Sequence, residues 1–297
     1  MPPLDQYVKE RARLVDAALD RYLPSAKIRP ATIHEAMRYS LFAGGKRLRP
    51  ILCLAAAEAC GGTPEPALPA AAAVECIHTY SLIHDDLPCM DDDDLRRGQP
   101  TCHVRYGEGI AVLAGDALLT LAFEILAQAA PTKRHSVAAC VGELARASGS
   151  RHLIGGQVLD LEGEGSEVRP TPAQLKFIHL SKTAALLTAS LRLGGMSADA
   201  MPRQLEALTV YGRSLGLAFQ IIDDILDVTQ TSEQLGKSAG KDAATGKSTY
   251  PALHGLDRSR KEAARLTRKA HGALDAFGKS RARRLHELAD KLLDREY

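Results

Sequence analysis

Six carboxylates fall within ten residues, Asp85, Asp86, Asp91, Asp92, Asp93 and Asp94, directly behind the apolar run Tyr80-Ser81-Leu82-Ile83. That run reads as the end of a buried helix, and a helix C-terminus carries the negative pole of the macrodipole. Anions are least stable there, so such a chain folds and works only if something positive meets them. A second cluster, Asp223-Asp224-x2-Asp227, lies inside the apolar segment 215–228. At helical spacing Asp223 and Asp227 share one face, with Gln220 on the same side. Carboxylates on a largely buried helix are costly unless paired or metal-bound. Their hard oxygens suit Mg²⁺, which keeps waters and favours substrate phosphates. No Cys/His constellation of the kind zinc prefers accompanies them, and the spacing is not that of an EF-hand.

The rest of the chain is helical in character. Aromatics make up 4%, Trp is absent, and Ala and Leu dominate, with no sustained strand alternation. The expected fold is all-α, a single domain built around a central bundle. Helices are predicted over 4–22, 31–42, 49–60, 67–87, 109–129, 135–149, 152–163, 172–193, 202–229, 258–276 and 279–295. Residues 230–249, rich in Gly, Ser, Thr and Lys, read as a loop. The formal net charge of +2 gives no reason to expect nucleic acid. The N-terminus shows no signal segment. No stretch is read as approaching the uninterrupted apolar length of about 20 residues that spans a bilayer. The expectation is a soluble, cytoplasmic protein whose six cysteines, none in a Cys-x-x-Cys pair, stay reduced.

Basic residues are sorted as sharply as acidic ones. Gly44-Gly45-Lys46-Arg47-Leu48-Arg49-Pro50 is a glycine turn followed by three cations. Glycines allow close backbone approach, and Arg offers a fork to phosphate oxygens. Arg96 and Arg97 follow the first acidic cluster, Lys182 lies in Leu180-Ser181-Lys182-Thr183, and the 230–249 segment holds Lys237, Lys241 and Lys247. Carboxylates with magnesium could hold one diphosphate, and cations alone a second. The Walker and dinucleotide glycine patterns are missing, so the phosphate need not belong to a nucleotide.

These motifs, in order from about 40 to 255, resemble the trans-prenyltransferase (polyprenyl diphosphate synthase) family, and its bacterial farnesyl diphosphate synthase-like branch in particular. The matches are Gly44–Pro50, Asp85-Asp86-x4-Asp91 with Leu95-Arg96-Arg97-Gly98, Phe219-Gln220-x2-Asp223-Asp224-x2-Asp227, Gly240-Lys241-Asp242 and Gly246–Pro251. The resemblance implies an isoprenoid synthase-type bundle around a deep cavity, a homodimer, and three Mg²⁺ ions per site, replaceable by Mn²⁺. By the same resemblance Asp85, Asp91 and Asp223 ligate the ions, supported by Asp86, Asp224 and Asp227. Arg96, Lys182 and Lys241 complete the clamp on an allylic diphosphate. Lys46, Arg49, His78 and Arg97 hold isopentenyl diphosphate without metal. Thr183 and Gln220 face the carbocation.

Pro88 interrupts the helix and lets the chain bend so that Asp85 and Asp91 converge. Product length is expected to be set one and two turns before Asp85, at Tyr80, Ser81 and Ile77. An aromatic at Tyr80 resembles the farnesyl (C15) synthases, and a phenol ring there would form a steric floor. The alternatives are a C20 or C10 synthase, a terpene cyclase or head-to-head condensing enzyme, and a non-catalytic partner subunit.

Overall fold

Residues 68–85 carry Ala, Val, Cys and Ile on every side, and a helix apolar all round has to be surrounded by others. In the computed structural model, which describes residues 2–163, 170–229 and 249–293, this segment is a central helix. The longer helices preceding it are α1 (Leu4–Tyr22), α2 (Ala31–Phe42) and α3 (Leu48–Ala59), and the segment itself, Leu68–Asp85, is α4. Then follow α5 (Cys102–Tyr106), α6 (Glu108–Ala127), α7 (Val137–Ser148), α8 (Leu153–Gly163) and α9 (Pro172–Ile178). The chain ends with α10 (Ala185–Ser197), α11 (Pro202–Thr229), α12 (Tyr250–His254), α13 (Leu256–Ala273) and α14 (Lys279–Leu293). The all-α expectation holds. Among the described residues the strands are one antiparallel pair of two residues each, β1 (Leu95–Arg96) and β2 (Gln99–Pro100). Arg97 and Gly98 turn it with positive φ, as a two-residue hairpin requires.

Helix α4 packs against α6, α3 and α10, and α11 against α13 and α10. Two apolar clusters result. One gathers Leu41, Ile77, Leu118 and Ile125, the other Leu52, Tyr211, Ile221 and Leu285. Tyr211 is fully buried, and its hydroxyl donates to the Leu285 carbonyl at 2.7 Å, so no polar group is stranded there. Helices α13 and α14 are amphipathic. Ala263, Leu266 and Ala270, then Ala282, Leu285 and Leu288, face inward at helical spacing.

Three expectations need correction. The predicted helix 172–193 is interrupted. A capping box of Thr171 and Gln174 starts α9, and a π-helical turn, His179–Ala184, separates it from α10. Apolar residues lie on both sides of the turn, and α10 is buried on nearly all its faces, so periodicity does not mark where the π segment falls. Short helices α5 and α12 were not expected at all. Finally, α6 is long and apolar enough, by length and composition, to cross a membrane. Its Ala111, Ala114, Leu118, Ala122 and Ile125 are buried within the protein, which accounts for the apolar character of that side. The expected loop 230–249 lies outside the described residues except for Thr249.

Helices α3 and α10 meet where Gly194 passes the Cys53 carbonyl, with no room for a side-chain carbon. Because the obstacle is backbone, Gly194→Ala should destabilise the protein by about 1–3 kcal/mol, read as a lower urea midpoint with an unchanged slope.

Candidate active site

Helix α4 stops where its charges begin. Pro88 follows, and the chain curls back so that the Asp91 amide donates to the Asp85 carbonyl at 2.8 Å, with Asp92 in the left-handed region. The expected bend is therefore present, and it brings Asp91 beside Asp85. Burial is the largest influence on Asp85 and pushes its carboxyl up to about 6; Asp91 and Asp86 add to this, while Lys182 and Arg96 oppose it. Asp86 is different. It is buried, and the Arg96 guanidinium forks onto it, with Nε at 2.7 and 2.8 Å from the two oxygens. The structure thus pairs Asp86 with Arg96 instead of turning either toward the cavity described below. Asp86, expected to support the metal ligands, and Arg96, expected in the allylic clamp, are thus partners of each other here.

The second cluster lies on α11, where Asp224 and Asp227 are buried and Asp223 is partly so. The Tyr250 amide donates to Asp224 Oδ2 at 2.7 Å, and His179 Nε2 stands 3.6 Å from the same oxygen. Burial pushes His179 down to about 4, so the imidazole is neutral near pH 7. Asp227 Oδ2 is buried without a hydrogen-bond partner among the described residues. The π turn presents Lys182 and Thr183. Lys182 Nζ donates to Asp160 at 2.6 Å, and the Thr183 hydroxyl donates to Gln220 Oε1 at 2.8 Å.

Asp160 and Gln157, both on α8, were missed from sequence. The available signal was Gly155-Gly156-Gln157-x2-Asp160. Gly156 lies so close to the Lys182 backbone nitrogen that a Cβ would come within 2.5 Å of it, as expected where two backbones must meet.

Two cavities adjoin at Arg49 and His78, which line both. One, about 590 Å³, is walled by Gly44, Gly45, Lys46 and Arg97. The other, about 570 Å³, runs from Asp85, Lys182 and Thr183 past Tyr80, Ser81 and His84 to Leu119, Leu153, Ile154, Val158, Leu161 and Leu186. The first cavity is cationic. Arg97 lies over Gly45 and donates to the Gly44 carbonyl. Burial is the largest influence on Arg49 and lowers its pKa, and Arg97 adds to the shift. Its Nε has no hydrogen-bond partner among the described residues. Burial, followed by the nearby arginines, pushes His78 well below its usual value, so it is neutral. The second cavity has a polar mouth and an apolar body. Gln220 does not line it and meets its edge only through the hydrogen bond it accepts from Thr183. Ile77, expected among the chain-length residues, is buried in the core and does not line it either. Lys241, expected in the clamp, lies outside the described residues.

Among the described residues, no three His, Cys, Asp or Glu side chains are gathered closely enough to hold an ion unaided. The donors still fit magnesium, which takes its remaining ligands from water and bound phosphate. The unpartnered Asp227 oxygen and the charge-averse Asp85 are groups that a hard cation would satisfy.

Helices carrying two acidic clusters, beside a cationic cavity and an apolar one, match known proteins. Residues 30–283 match the family model described as polyprenyl synthetase. The chain is 51% identical over 294 residues to the heterodimeric geranylgeranyl pyrophosphate synthase large subunit 1, chloroplastic, of Arabidopsis thaliana, covering 98% of this chain and 79% of that one. It superposes on a geranylgeranyl pyrophosphate synthetase from Pyrococcus horikoshii with a TM-score of 0.90 at 34% identity, covering 99% and 98% of the two chains. An FPP/GFPP synthase from Zymomonas mobilis gives 0.88 at 37%, covering 98% of each. The chain belongs to the polyprenyl synthetase family of trans-prenyltransferases, with the isoprenoid synthase fold, and joins prenyl units head to tail.

The raised Asp85 pKa has a direct consequence. Above about pH 6 the carboxylate is ionised against its surroundings, so folding stability is lost as pH rises toward and through that value, and a bound cation restores it. At pH 5 the carboxyl is protonated and a cation must first displace the proton. Magnesium with inorganic diphosphate should therefore raise Tm more at pH 7.5 than at pH 5. Asp85→Asn should flatten that difference.

Proposed function

We propose that the chain is a geranylgeranyl diphosphate synthase, extending allylic diphosphates with isopentenyl diphosphate to C20. This replaces the C15 expectation. The observation that carries it is the long apolar cavity behind Asp85, together with the relatives named for C20 products. Its volume, about 570 Å³, falls within the range of pockets that enclose drug-sized ligands. Tyr80 is buried and packs edge-on against His84 at 5.8 Å between ring centroids. The ring is one part of the cavity lining, which Leu119, Leu153 and Leu161 continue.

In this reading Asp85, Asp91, Asp223 and Asp227 would hold magnesium ions, with Asp224 fixed behind them by the Tyr250 amide. The metal, when bound, would supply positive charge where the departing diphosphate becomes more negative. Lys182, steadied by Asp160, adds a preorganised cation at the same place. Thr183 commits its proton to Gln220 and so turns lone pairs toward the allylic carbon as positive charge develops there. Lys46, Arg49 and Arg97 bind the isopentenyl diphosphate, and neutral His78 at the junction offers one N–H donor. The double bond attacks across that junction, and the released diphosphate takes the proton. The assembly we propose is a dimer. Exposed Val112 and Leu113 on α6 supply an apolar contact face for it, and a single species of twice the chain mass in light scattering would agree.

Incubation with isopentenyl diphosphate and each of the C5, C10 and C15 allylic diphosphates should give mainly the C20 diphosphate. Mainly C15 product from wild type would return the floor to Tyr80, and cyclic hydrocarbon would indicate a cyclase. Asp227→Ala should cut kcat by about 100-fold or more with little change in KM for isopentenyl diphosphate, since the loss falls on ionisation.

A further inference from the structure

The motif Gly44–Pro50 supplies three cations, and the proposed reaction uses only Lys46 and Arg49. Arg47 sits between them in the left-handed region, φ 48 and ψ 34, at the N-cap of α3. A non-glycine residue adopts that conformation only where its surroundings hold it. Here the guanidinium does so. Its Nε donates to Asp16 Oδ1 at 2.8 Å, Nη1 to Glu75 Oε1 at 2.9 Å, and Nη2 to the Leu41 carbonyl at 2.7 Å. All three nitrogens are engaged within the protein, and the side chain is almost fully buried.

Glu75 is harder to explain. It is 2% exposed and is the one carboxylate among the described residues that line the cationic cavity. A bare anion there would draw Arg49 and Arg97 away from a diphosphate or repel the diphosphate itself. Paired with Arg47, it becomes an anchor. Glu75 lies one helical turn before His78 on α4, so the ion pair ties the turn bearing Lys46 and Arg49 to the helix bearing His78 and Asp85.

We propose that Arg47 and Glu75 are a positioning pair for the metal-free diphosphate pocket. They hold the strained turn so that Lys46 and Arg49 point at one diphosphate, and they touch no reacting atom. This rests on the functional reading above for the identity of the ligand.

Removing one partner strands a buried charge and risks the fold, so the decisive variant is Arg47→Met with Glu75→Met. An apolar pair of similar volume can be as stable as the ion pair it replaces, but it does not hold the left-handed turn. The measurement is calorimetric titration of isopentenyl diphosphate in excess chelator, alongside Tm and the KM for the allylic substrate. We expect a wild-type-like Tm and an allylic KM within about twofold. The Kd for isopentenyl diphosphate should be raised about tenfold or more. A folded double variant with wild-type Kd overturns the proposal, as does an equal loss for both substrates. A double variant that does not fold also overturns it, because the pair is then needed for the fold itself. Wild type that binds isopentenyl diphosphate but makes no prenyl product refutes the functional reading alone. Wild type that does not bind it refutes both.

Discussion

Helix α4 is the constraint on which the site depends. Its first two turns are apolar in all directions and must be enclosed, yet the same helix goes on to carry Glu75, His78, Tyr80, Ser81 and Asp85. Enclosure by α3, α6 and α10 fixes it, and each of those five groups inherits a fixed address. Glu75 and His78 face the cationic cavity, Tyr80 and Ser81 the apolar one, and Asp85 lies at the mouth of the latter. A one-residue shift of this helix would rotate all of them together by about 100°. The hydrophobic core and the chemistry are therefore specified by one packing problem.

Charge is left deliberately unbalanced on either side of that helix. Burial disfavours the ionised forms of Asp85 on one side and Arg49 on the other. Neither neutralises the other within the free protein. Groups preorganised in this way give up little further solvation when a ligand arrives, and a metal diphosphate or a bare diphosphate relieves what folding imposed. Where neutralisation would serve only the scaffold, the protein supplies it. Asp86 is forked by Arg96, and Glu75 accepts a hydrogen bond from Arg47.

Sequence revealed the long helices, both acidic clusters, the bend at Pro88 and the cations at Lys46, Arg49, Arg97 and Lys182. Those features rest on composition and spacing, which local physics fixes. It did not reveal the partners that individual groups find in the folded chain. Nothing around Asp86 says that it pairs with Arg96, since its five acidic neighbours look equally available. Ile77 and Ser81 are four residues apart, yet only Ser81 reaches the cavity, because depth along a helix depends on the facing helices. The expectation for product length rested on Tyr80, Ser81 and Ile77, all on α4, whereas the cavity is also bounded by α6, α8 and α10, which are distant in sequence.

The π turn shows why such gaps matter for mechanism. In an uninterrupted helix each residue advances by about 100°, so the directions of Lys182 and Thr183 would be tied to the phase of α10. One inserted residue resets that phase. The buried residues of the turn, His179, Ser181 and Ala184, keep the helix seated against its neighbours, while Lys182 reaches Asp160 on α8 and Thr183 reaches Gln220 on α11. Three helices thereby meet at one polar point beside Asp85. Phase resetting thus lets a bundle built for close packing carry a cation and a hydroxyl into the mouth of an apolar cavity.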